Sequence, residues 1–283
     1  MRVMTRRFII VRLIGGLGNQ LFQLQYGLNL QHQIGGQLQV DDSFLTKSAK
    51  AHETLAVAEL IESLPRVRLG WFDLKVKRVI ERAYHKLGIK VPSWIRPEYL
   101  FENSKADVCT MPRVIIDGFW QRADYLNKGF VQNLRRHLQT HNDHRVSNDC
   151  VCVHVRRGDY LTNRHWFVKQ QMVAPLSYYE AAFEHFRREL GVPRFEVYTD
   201  DEPWATETFS QMTDVSVVPS DSLKPFELLG RMASYRNYVI ANSTLSWWAA
   251  VASCHEDKKV ILPDMWGKGV KSDHYRHMDW LVF

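Results

Sequence analysis

The chain has 283 residues, and 45% of them are hydrophobic, which is enough to bury one large core or two cores of ordinary size. Its 37 lysines and arginines outnumber its 31 aspartates and glutamates, so the net charge is +6 and an anionic partner is favoured. No apolar run approaches the roughly 18 residues that a membrane span needs, so we expect no membrane-spanning helix.

The first residues and the cysteines indicate a folded protein of a reducing compartment. The apolar segment from Phe8 to Val11 is interrupted by Arg12, which makes it too short for the core of a signal peptide. We interpret it as the first strand of a core. The four cysteines lack the spacing of a disulfide framework, so we expect a cytoplasmic protein.

Strand-like and helix-like segments alternate along the chain. Eight segments have the composition of buried strands, and in chain order they read FIIVRL, QLQV, RVIID, CVCVHV, RFEVYT, VSVV, NYVIA and KVIL. Helical patterns separate several of them. One starts near Asn19, and another is predicted to start at Ser177, where Glu180 has the spacing of a capping box, and to end near Leu190. This alternation predicts an α/β fold with parallel sheets.

A polar stretch, LQTHNDHRVSND, separates the earlier segments from CVCVHV and is the best candidate for a domain boundary. We place the boundary near residue 147, which divides the chain into residues 1–147 and 148–283. Residues 43–112 carry two or three helical patterns and no clear strand. The sequence contains no internal repeat.

A glycine-rich turn follows the first predicted strand. Gly16 and Gly18 match two glycines of a dinucleotide-binding fingerprint, but Leu21 occupies the place of its third small residue. The glycines could make only a tight strand-to-helix turn. Alternatively, the N–H groups of the helix start, with Asn19 and Gln20, could face a sugar hydroxyl or a phosphate oxygen. A nicotinamide or flavin site is a third interpretation that this incomplete pattern leaves open.

Two adjacent arginines follow the fourth predicted strand. In an extended chain His154 and Arg156 point to the same face, and Arg157 emerges at the end of the strand. Ligands of parallel α/β sheets bind beyond the carboxyl ends of the strands. Because a fixed pair of guanidinium groups suits a diphosphate, we predict an anion site here, with Asp159 orienting one arginine. The alternative is a solvated turn with a surface ion pair.

Two further strand ends carry polar residues. Asp200 and Asp201 follow RFEVYT, where they could bind a ligand or cap the next helix. Asn242, Ser243 and Thr244 follow NYVIA, where they could cap a helix or, with its N–H groups, hold an anion. The tryptophans that come next are predicted to belong to the core rather than to a stacking surface.

No metal site is predicted. The chain contains no Asp-x-Asp pair, the spacing with which many sugar transferases hold a cation on a diphosphate, so arginine would have to neutralise such a leaving group. His141, His144, Cys150 and Cys152 offer four possible zinc ligands, but the two cysteines lie within one predicted strand. A Walker sequence is absent, which counts against a P-loop ATPase.

Five segments together resemble one family. GGLGNQLFQ, DGFWQRADYL, VHVRRGDY, YTDD and IANSTLSWWAA occur in the order found in the α-1,2-fucosyltransferases of glycosyltransferase family 11. The segment around the arginine pair is also similar to the donor motif of other fucosyltransferases, so it indicates GDP-fucose more than a linkage. The resemblance implies an inverting, metal-independent enzyme without a cofactor, which transfers L-fucose from GDP-fucose to the 2-hydroxyl of a terminal galactose.

The resemblance also implies an architecture. It is that of a GT-B enzyme, in which two Rossmann-like domains with parallel sheets face each other across a cleft. Residues 1–147 would mostly hold the acceptor and residues 148–283 would bind GDP-fucose. The last residues of the chain would pack back on the first domain.

The family's functional residues can be carried onto matching positions. Arg157 would contact the β-phosphate with His154 and Arg156 beside it, and Asp200 would lie near the nucleoside. The residues implied in donor binding are Gly16, Gly18, Arg156, Arg157, Asp200, Asp201, Asn242, Ser243, Thr244 and Ser246. No general base is evident; Asp159 and His165 are candidates, and Asn19 is a candidate positioning group.

The resemblance is to the bacterial branch of the family, which acts in the cytoplasm on surface glycans such as the O-antigen. The basic surface would allow peripheral contact with the inner membrane. Three other interpretations stay open: a transferase of another linkage or nucleotide sugar, an NAD-dependent oxidoreductase, and a non-catalytic lectin or nucleic-acid module. We expect no nucleic-acid partner, and the sequence names neither the acceptor nor the oligomeric state.

Overall fold

The structure is a computed structural model of the chain. It describes residues 7–45, 56–69, 99–100, 112–140, 146–162, 172–220, 222–277 and 279–283, with five isolated positions, Val79, Ala83, Lys86, Leu87 and Cys109. Most of the segment 43–112, together with His141, His144 and His165, therefore lies outside the described residues.

The chain divides into two compact units, Met1–Trp120 and Gln121–Phe283. The N-terminal unit contains a four-stranded parallel sheet in the order β2-β1-β4-β3. Its strands are β1 (Phe8–Arg12), β2 (Gln37–Asp41), β3 (Tyr99–Leu100) and β4 (Arg113–Ile116).

The C-terminal unit contains a six-stranded parallel sheet in the order β12-β9-β8-β5-β6-β7. Its strands are β5 (Cys150–Val155), β6 (Arg194–Thr199), β7 (Val215–Val217), β8 (Asn237–Val239), β9 (Lys259–Leu262) and β12 (Leu281–Val282). A separate hairpin pairs β10 (Met265–Gly267) with β11 (Val270–Lys271).

Helices connect the strands in both units. In the described ranges the α-helices are α1 (Leu17–Ile34), α2 (Lys128–Thr140), α3 (Gly158–Thr162), α4 (Leu176–Leu190), α5 (Glu202–Phe209), α6 (Pro225–Met232) and α7 (Thr244–Ala252). Short 3-10 helices span Ala58–Ile61, Ala123–Tyr125 and Ser272–His274. None of the helices described is long and apolar enough to cross a membrane.

Helix α1 packs on β1 at very short range. A Cβ atom on Gly27 would stand 2.2 Å from Cγ2 of Val11, so only glycine lets the helix approach the strand this closely. Glycine inside a helix costs about 1 kcal/mol relative to alanine. The close contact with the sheet offsets that cost, because Val11 and the helix residues facing it are fully buried.

The core of the C-terminal unit forms between the sheet and helices α4 and α5. Val151, Val153 and Val155 of β5 point into it, as the period of two predicts, and Phe183 and Phe186 of α4 cover them. The tryptophans of α7, at positions 247 and 248, are also fully buried, which confirms their predicted place in a core.

The predicted α/β fold with parallel sheets is confirmed, and all eight predicted strands are present. The predicted capping box is wrong. Helix α4 begins at Leu176 after Pro175, so Ser177 lies inside the first turn and no side chain caps the helix. Pro175 has the extended φ of −69° that its ring imposes, and it starts the helix one residue earlier than the hydroxyl pattern suggests.

The unit boundary and the chain end also differ from the sequence prediction. The boundary follows Trp120, not residue 147, because α2 packs on the C-terminal unit: Nε of Arg135 donates to the carbonyl oxygen of Ala252 at 3.2 Å. The chain end was expected on the first domain. Instead, β12 pairs with β9 and forms an edge of the C-terminal sheet.

Candidate functional site

The C-terminal sheet has a topological switch point between β5 and β8. From β5 the chain moves to β6 and β7 on one side, and it then returns to β8 and β9 on the other. Ligands of open α/β sheets bind at such a point, beyond the carboxyl ends of the strands. The arginine pair follows β5 and the segment Asn242–Thr244 follows β8, so the sheet places two of the predicted site segments on the two sides of this point.

Arg156 is held by two carboxylates. Its Nη2 donates to Oδ1 of Asp159 at 2.7 Å, and its Nη1 lies 3.0 Å from Oδ2 of Asp200. The guanidinium also lies over the ring of Tyr160, 5.6 Å from the centroid. Both terminal nitrogens of Arg156 are therefore engaged, and its side chain is 26% exposed.

Arg157 is held differently. Its Nε donates to Oδ2 of Asp201 at 3.0 Å, and its guanidinium carbon lies 3.8 Å from the centroid of the Trp204 ring. Within the described part of the chain its two Nη groups have no hydrogen bond. Arg157 therefore keeps the edge of the guanidinium that binds phosphate oxygens in a bidentate manner.

Asp200 joins the two arginines. It contacts Arg156 through Oδ2 and accepts a hydrogen bond from the backbone N–H of Arg157 on Oδ1 at 2.8 Å. A Cβ atom on Gly158 would stand 2.6 Å from Oδ2 of Asp200, so glycine is needed where the chain turns from β5 into α3. The predicted ligand role of Asp200 and its observed contacts are thus different, since the carboxylate faces the arginines.

His154 lies beneath the arginine pair in β5 and is 5% exposed. Burial lowers the pKa of its imidazole to about 4, although Asp200 opposes this shift, and Arg156 adds to it. The ring is therefore neutral at physiological pH. Its Nδ1 is buried without a hydrogen-bond partner among the described residues, so a polar group of a ligand could meet it.

The segment after β8 is shaped mainly by internal hydrogen bonds. Nδ2 of Asn242 donates to the carbonyl oxygens of Met172 and Trp266, while its Oδ1 is buried without a partner among the described residues. Ser246 is fully buried, and its hydroxyl donates to the backbone oxygen of Ser243 at 3.2 Å. Asn242 and Ser246 thus fold the turn, and the hydroxyl of Ser243 makes no capping bond to α7.

Tyr160 links this segment to the arginine pair. Its hydroxyl donates to the backbone oxygen of Asn242 at 3.1 Å, and its ring faces Arg156. Burial raises the pKa of Tyr160 to about 12, although Arg156 lowers it, so the hydroxyl stays a donor. Thr244 begins α7 and is half-buried.

Two residues of this site were missed by the sequence reasoning, Trp204 and Tyr160. Trp204 lies three residues after Asp201, which is the N-cap of α5, so both side chains come from the first turn of one helix. That spacing was a usable signal. Nothing in the sequence indicated the contact between Tyr160 and Asn242, which joins two distant segments.

Gly16, Gly18 and Asn19 belong to the N-terminal unit. Gly16 is the N-cap of α1, and the N–H of Asn19 donates to its carbonyl oxygen at 3.0 Å. The preceding Gly15 has φ of +76°, which favours glycine. Gln20, which was a candidate ligand group, is fully buried and donates from Nε2 to the Gly15 oxygen at 2.7 Å, so it fixes the turn.

The described residues contain no cluster of three or more His, Cys, Asp or Glu side chains that could hold a metal ion. Cys150 and Cys152, two of the four possible zinc ligands, are buried free thiols in β5. Burial raises the pKa of both thiols, so they stay protonated.

The family model of glycosyl transferase family 11 matches residues 5–281. The chain belongs to glycosyl transferase family 11. The family predicted from the five sequence segments is confirmed, and this family 11 chain is a glycosyltransferase.

Two known relatives of the family 11 chain come from Escherichia coli. The O-antigen biosynthesis glycosyltransferase WbnK is 25% identical over 307 residues, which cover 95% of this chain and 98% of the relative. An alpha-1,2-colitosyltransferase is 25% identical over 274 residues, which cover 91% and 92%. Among solved structures, the fucosyltransferase NodZ from Bradyrhizobium is 14% identical, with a TM-score of 0.48 and coverage of 86% of this chain and 92% of NodZ.

Proposed function

We propose that this glycosyltransferase transfers L-fucose from GDP-fucose to the 2-hydroxyl of a terminal galactose, with inversion and without a metal ion. The observation that carries the proposal is the arginine pair at the switch point of the C-terminal sheet, where Arg157 keeps its Nη edge free. A guanidinium in this position can neutralise the diphosphate that leaves with the donor.

The reaction is a single displacement at C1 of fucose. The acceptor hydroxyl oxygen forms a bond to C1 as the bond from C1 to the β-phosphate oxygen breaks, and GDP leaves with the bonding electron pair. Arg157 contacts the β-phosphate, and Arg156 contributes a positive charge that Asp159 and Asp200 hold in place. The neutral His154 supplies a buried ring nitrogen beside this site.

The acceptor hydroxyl must lose its proton. Asp159 is the described candidate for this role, because its carboxylate is 32% exposed beside the arginine pair; His165 is the other candidate, and it lies outside the described residues. Asn19 and the Gly16–Gly18 turn are proposed to serve the acceptor from the N-terminal unit. The two-domain GT-B arrangement is part of the same proposal.

The cellular setting is proposed from the relatives. One of them is an O-antigen biosynthesis glycosyltransferase, so we expect the galactose-terminated acceptor to be an intermediate of surface-glycan synthesis in the cytoplasm. The colitosyltransferase favours a second candidate, transfer of a different deoxysugar to the same kind of hydroxyl. Incubation with a galactoside and either GDP-fucose or nucleotide-activated colitose, followed by NMR of the product linkage, distinguishes the two.

The donor site is tested by thermal stabilisation in EDTA with GDP, GDP-fucose, UDP and NAD. We expect the guanine nucleotides to stabilise the wild type, by about 2.7 kcal/mol at a concentration of 100 times Kd, and we expect Arg157→Ala to lose this effect. Arg157→Lys keeps the charge without the planar fork and should recover only part of it. Arg236→Ala is the matched control, because Arg236 precedes β8 at the amino end of the sheet.

Each other outcome has a definite meaning. Stabilisation by NAD alone would support an oxidoreductase, and glycan or RNA binding without any nucleotide effect would support a non-catalytic module. If Arg156→Ala loses the GDP effect and Arg157→Ala keeps it, the phosphate ligand is Arg156. An absence of any guanine-nucleotide effect on the wild type would overturn the proposed donor.

A further inference from the structure

The guanidinium of Arg157 has one face and one edge occupied by the first turn of α5. The face lies 3.8 Å above the centroid of the Trp204 ring, and the Nε edge donates to Asp201 at 3.0 Å. A planar cation has only a limited number of directions for contact, so the two groups together leave the Nη edge as the free one. The contacts differ from those of Arg156, whose two Nη groups are both on carboxylates.

The first turn of α5 is itself well anchored. Asp201 is its N-cap: Oδ1 accepts a hydrogen bond from the N–H of Trp204 at 3.4 Å, and the N–H of Asp201 donates to Oγ1 of Thr199 at 3.0 Å. Trp204 packs against the core cluster of the C-terminal unit, with its ring 5.9 Å from that of Phe209 in an edge-to-face arrangement. The surface on which Arg157 rests is therefore continuous with the core.

We propose that Trp204 and Asp201 are positioning residues, which hold Arg157 with its Nη edge turned toward the diphosphate of the donor. The inference rests on the proposed function. A free arginine side chain has several rotatable bonds, and ordering it on binding costs affinity. Stacking on Trp204 and pairing with Asp201 order it before the nucleotide arrives, so less affinity is lost on binding.

The test is a double-mutant cycle between Trp204→Leu and Arg157→Ala, with binding of GDP and of guanosine measured by calorimetry. We expect Trp204→Leu to weaken GDP binding by about 2- to 30-fold, the range of a cation–π contact, and to leave guanosine binding unchanged, because guanosine has no phosphate. In the Arg157→Ala background, Trp204→Leu should have no further effect on GDP.

Two further variants separate positioning from a structural role. Trp204→Phe keeps an aromatic face and should recover most of the GDP affinity, which also serves if Trp204→Leu does not fold. Phe209→Leu is the matched control, because it removes an aromatic ring from the same helix and the same core contact without touching Arg157. It should lower thermal stability while leaving GDP affinity unchanged.

Equal losses for Trp204→Leu with and without Arg157, equal losses for GDP and guanosine, or a loss in Phe209→Leu as large as in Trp204→Leu would each overturn the inference. These results differ from a failure of the proposed function. In that case the wild type itself would show no GDP binding, and the cycle would have no starting affinity to lose.

Discussion

His154 has its charge state determined by its surroundings. It lies in the central strand of the sheet, directly before the arginine pair, and its ring is almost fully buried. The same burial that lowers its pKa prepares a neutral hydrogen-bonding group next to a charged one. A site that combines a neutral ring with two guanidinium groups can contact both an uncharged and an anionic part of one ligand.

The lowered pKa of His154 predicts a pH-dependent stability. The pKa is about 4 in the folded state and near 6.5 in the unfolded chain, so the unfolded state binds more protons between these values. The free energy of unfolding should therefore fall as pH falls from 6.5 to 4, by up to about 3 kcal/mol from this residue, and it should gain nothing from it above pH 6.5.

Urea unfolding at pH 7.5 and 4.5 measures this effect. The difference in unfolding free energy between the two pH values should be smaller in His154→Gln than in the wild type. His274→Gln is the control, because His274 is exposed, and it should keep the wild-type difference. An equal pH dependence in all three proteins would mean that His154 is accessible to protons in the folded state.

At the scale of the element, α1 is tied to the strand ends by two buried glutamines. Oε1 of Gln23 accepts from the N–H of Ile14 at 3.0 Å, and its Nε2 donates to the Gly118 oxygen at 3.0 Å. Gln20 connects the glycine turn to the N–H groups of residues 56 and 57. These amides, which look like a polar helix face in the sequence, satisfy backbone groups that the turn leaves unpaired.

Removing one of these amides predicts a local loss of stability. Gln23→Ala leaves the N–H of Ile14 and the oxygen of Gly118 without their partner, and each unsatisfied buried group costs about 1–3 kcal/mol. Urea unfolding should show this loss, while GDP affinity at the C-terminal sheet should stay unchanged. Gln31→Ala, on the same helix but with an exposed side-chain bond, should cost much less; an equal cost would contradict the explanation.

The strands were predicted more accurately than the helix ends. Strands such as CVCVHV are buried on both faces in a parallel sheet, so their composition alone distinguishes them from their neighbours. The start of α4 depends on the single bond geometry at Pro175, which competes with the hydroxyl pattern of Ser177. Helix ends are decided by one or two residues, and several choices are close in free energy.

At the scale of the whole molecule, the net charge of +6 favours association with anionic surfaces. We expect binding to vesicles that contain anionic lipids, and we expect it to weaken steeply as salt rises from about 0.05 to 0.5 M, because screening acts on exposed charges. Sedimentation with anionic and neutral vesicles measures this. Binding that is the same for both lipids, or that persists at high salt, would exclude an electrostatic contact with the membrane.

The unit boundary is a property of the whole molecule that the local pattern predicted differently. The polar stretch before β5 looks like a linker, yet α2 precedes it and packs on the C-terminal unit, where Arg135 bonds the last carbonyls of α7. Polarity reports exposure of a loop. It does not report which unit the preceding helix contacts, because that contact joins residues more than one hundred positions apart.

The sequence by itself determined the α/β class, the eight principal strands, the family and the segments that meet at the switch point, because these depend on local composition and on short motifs. The tertiary structure decided how the site residues divide their roles. It placed Asp200 against both arginines, Trp204 under Arg157 and Tyr160 against Asn242, and it turned Gln20 and Ser246 inward. These contacts join residues distant in the chain, and no local pattern encodes the distances between them.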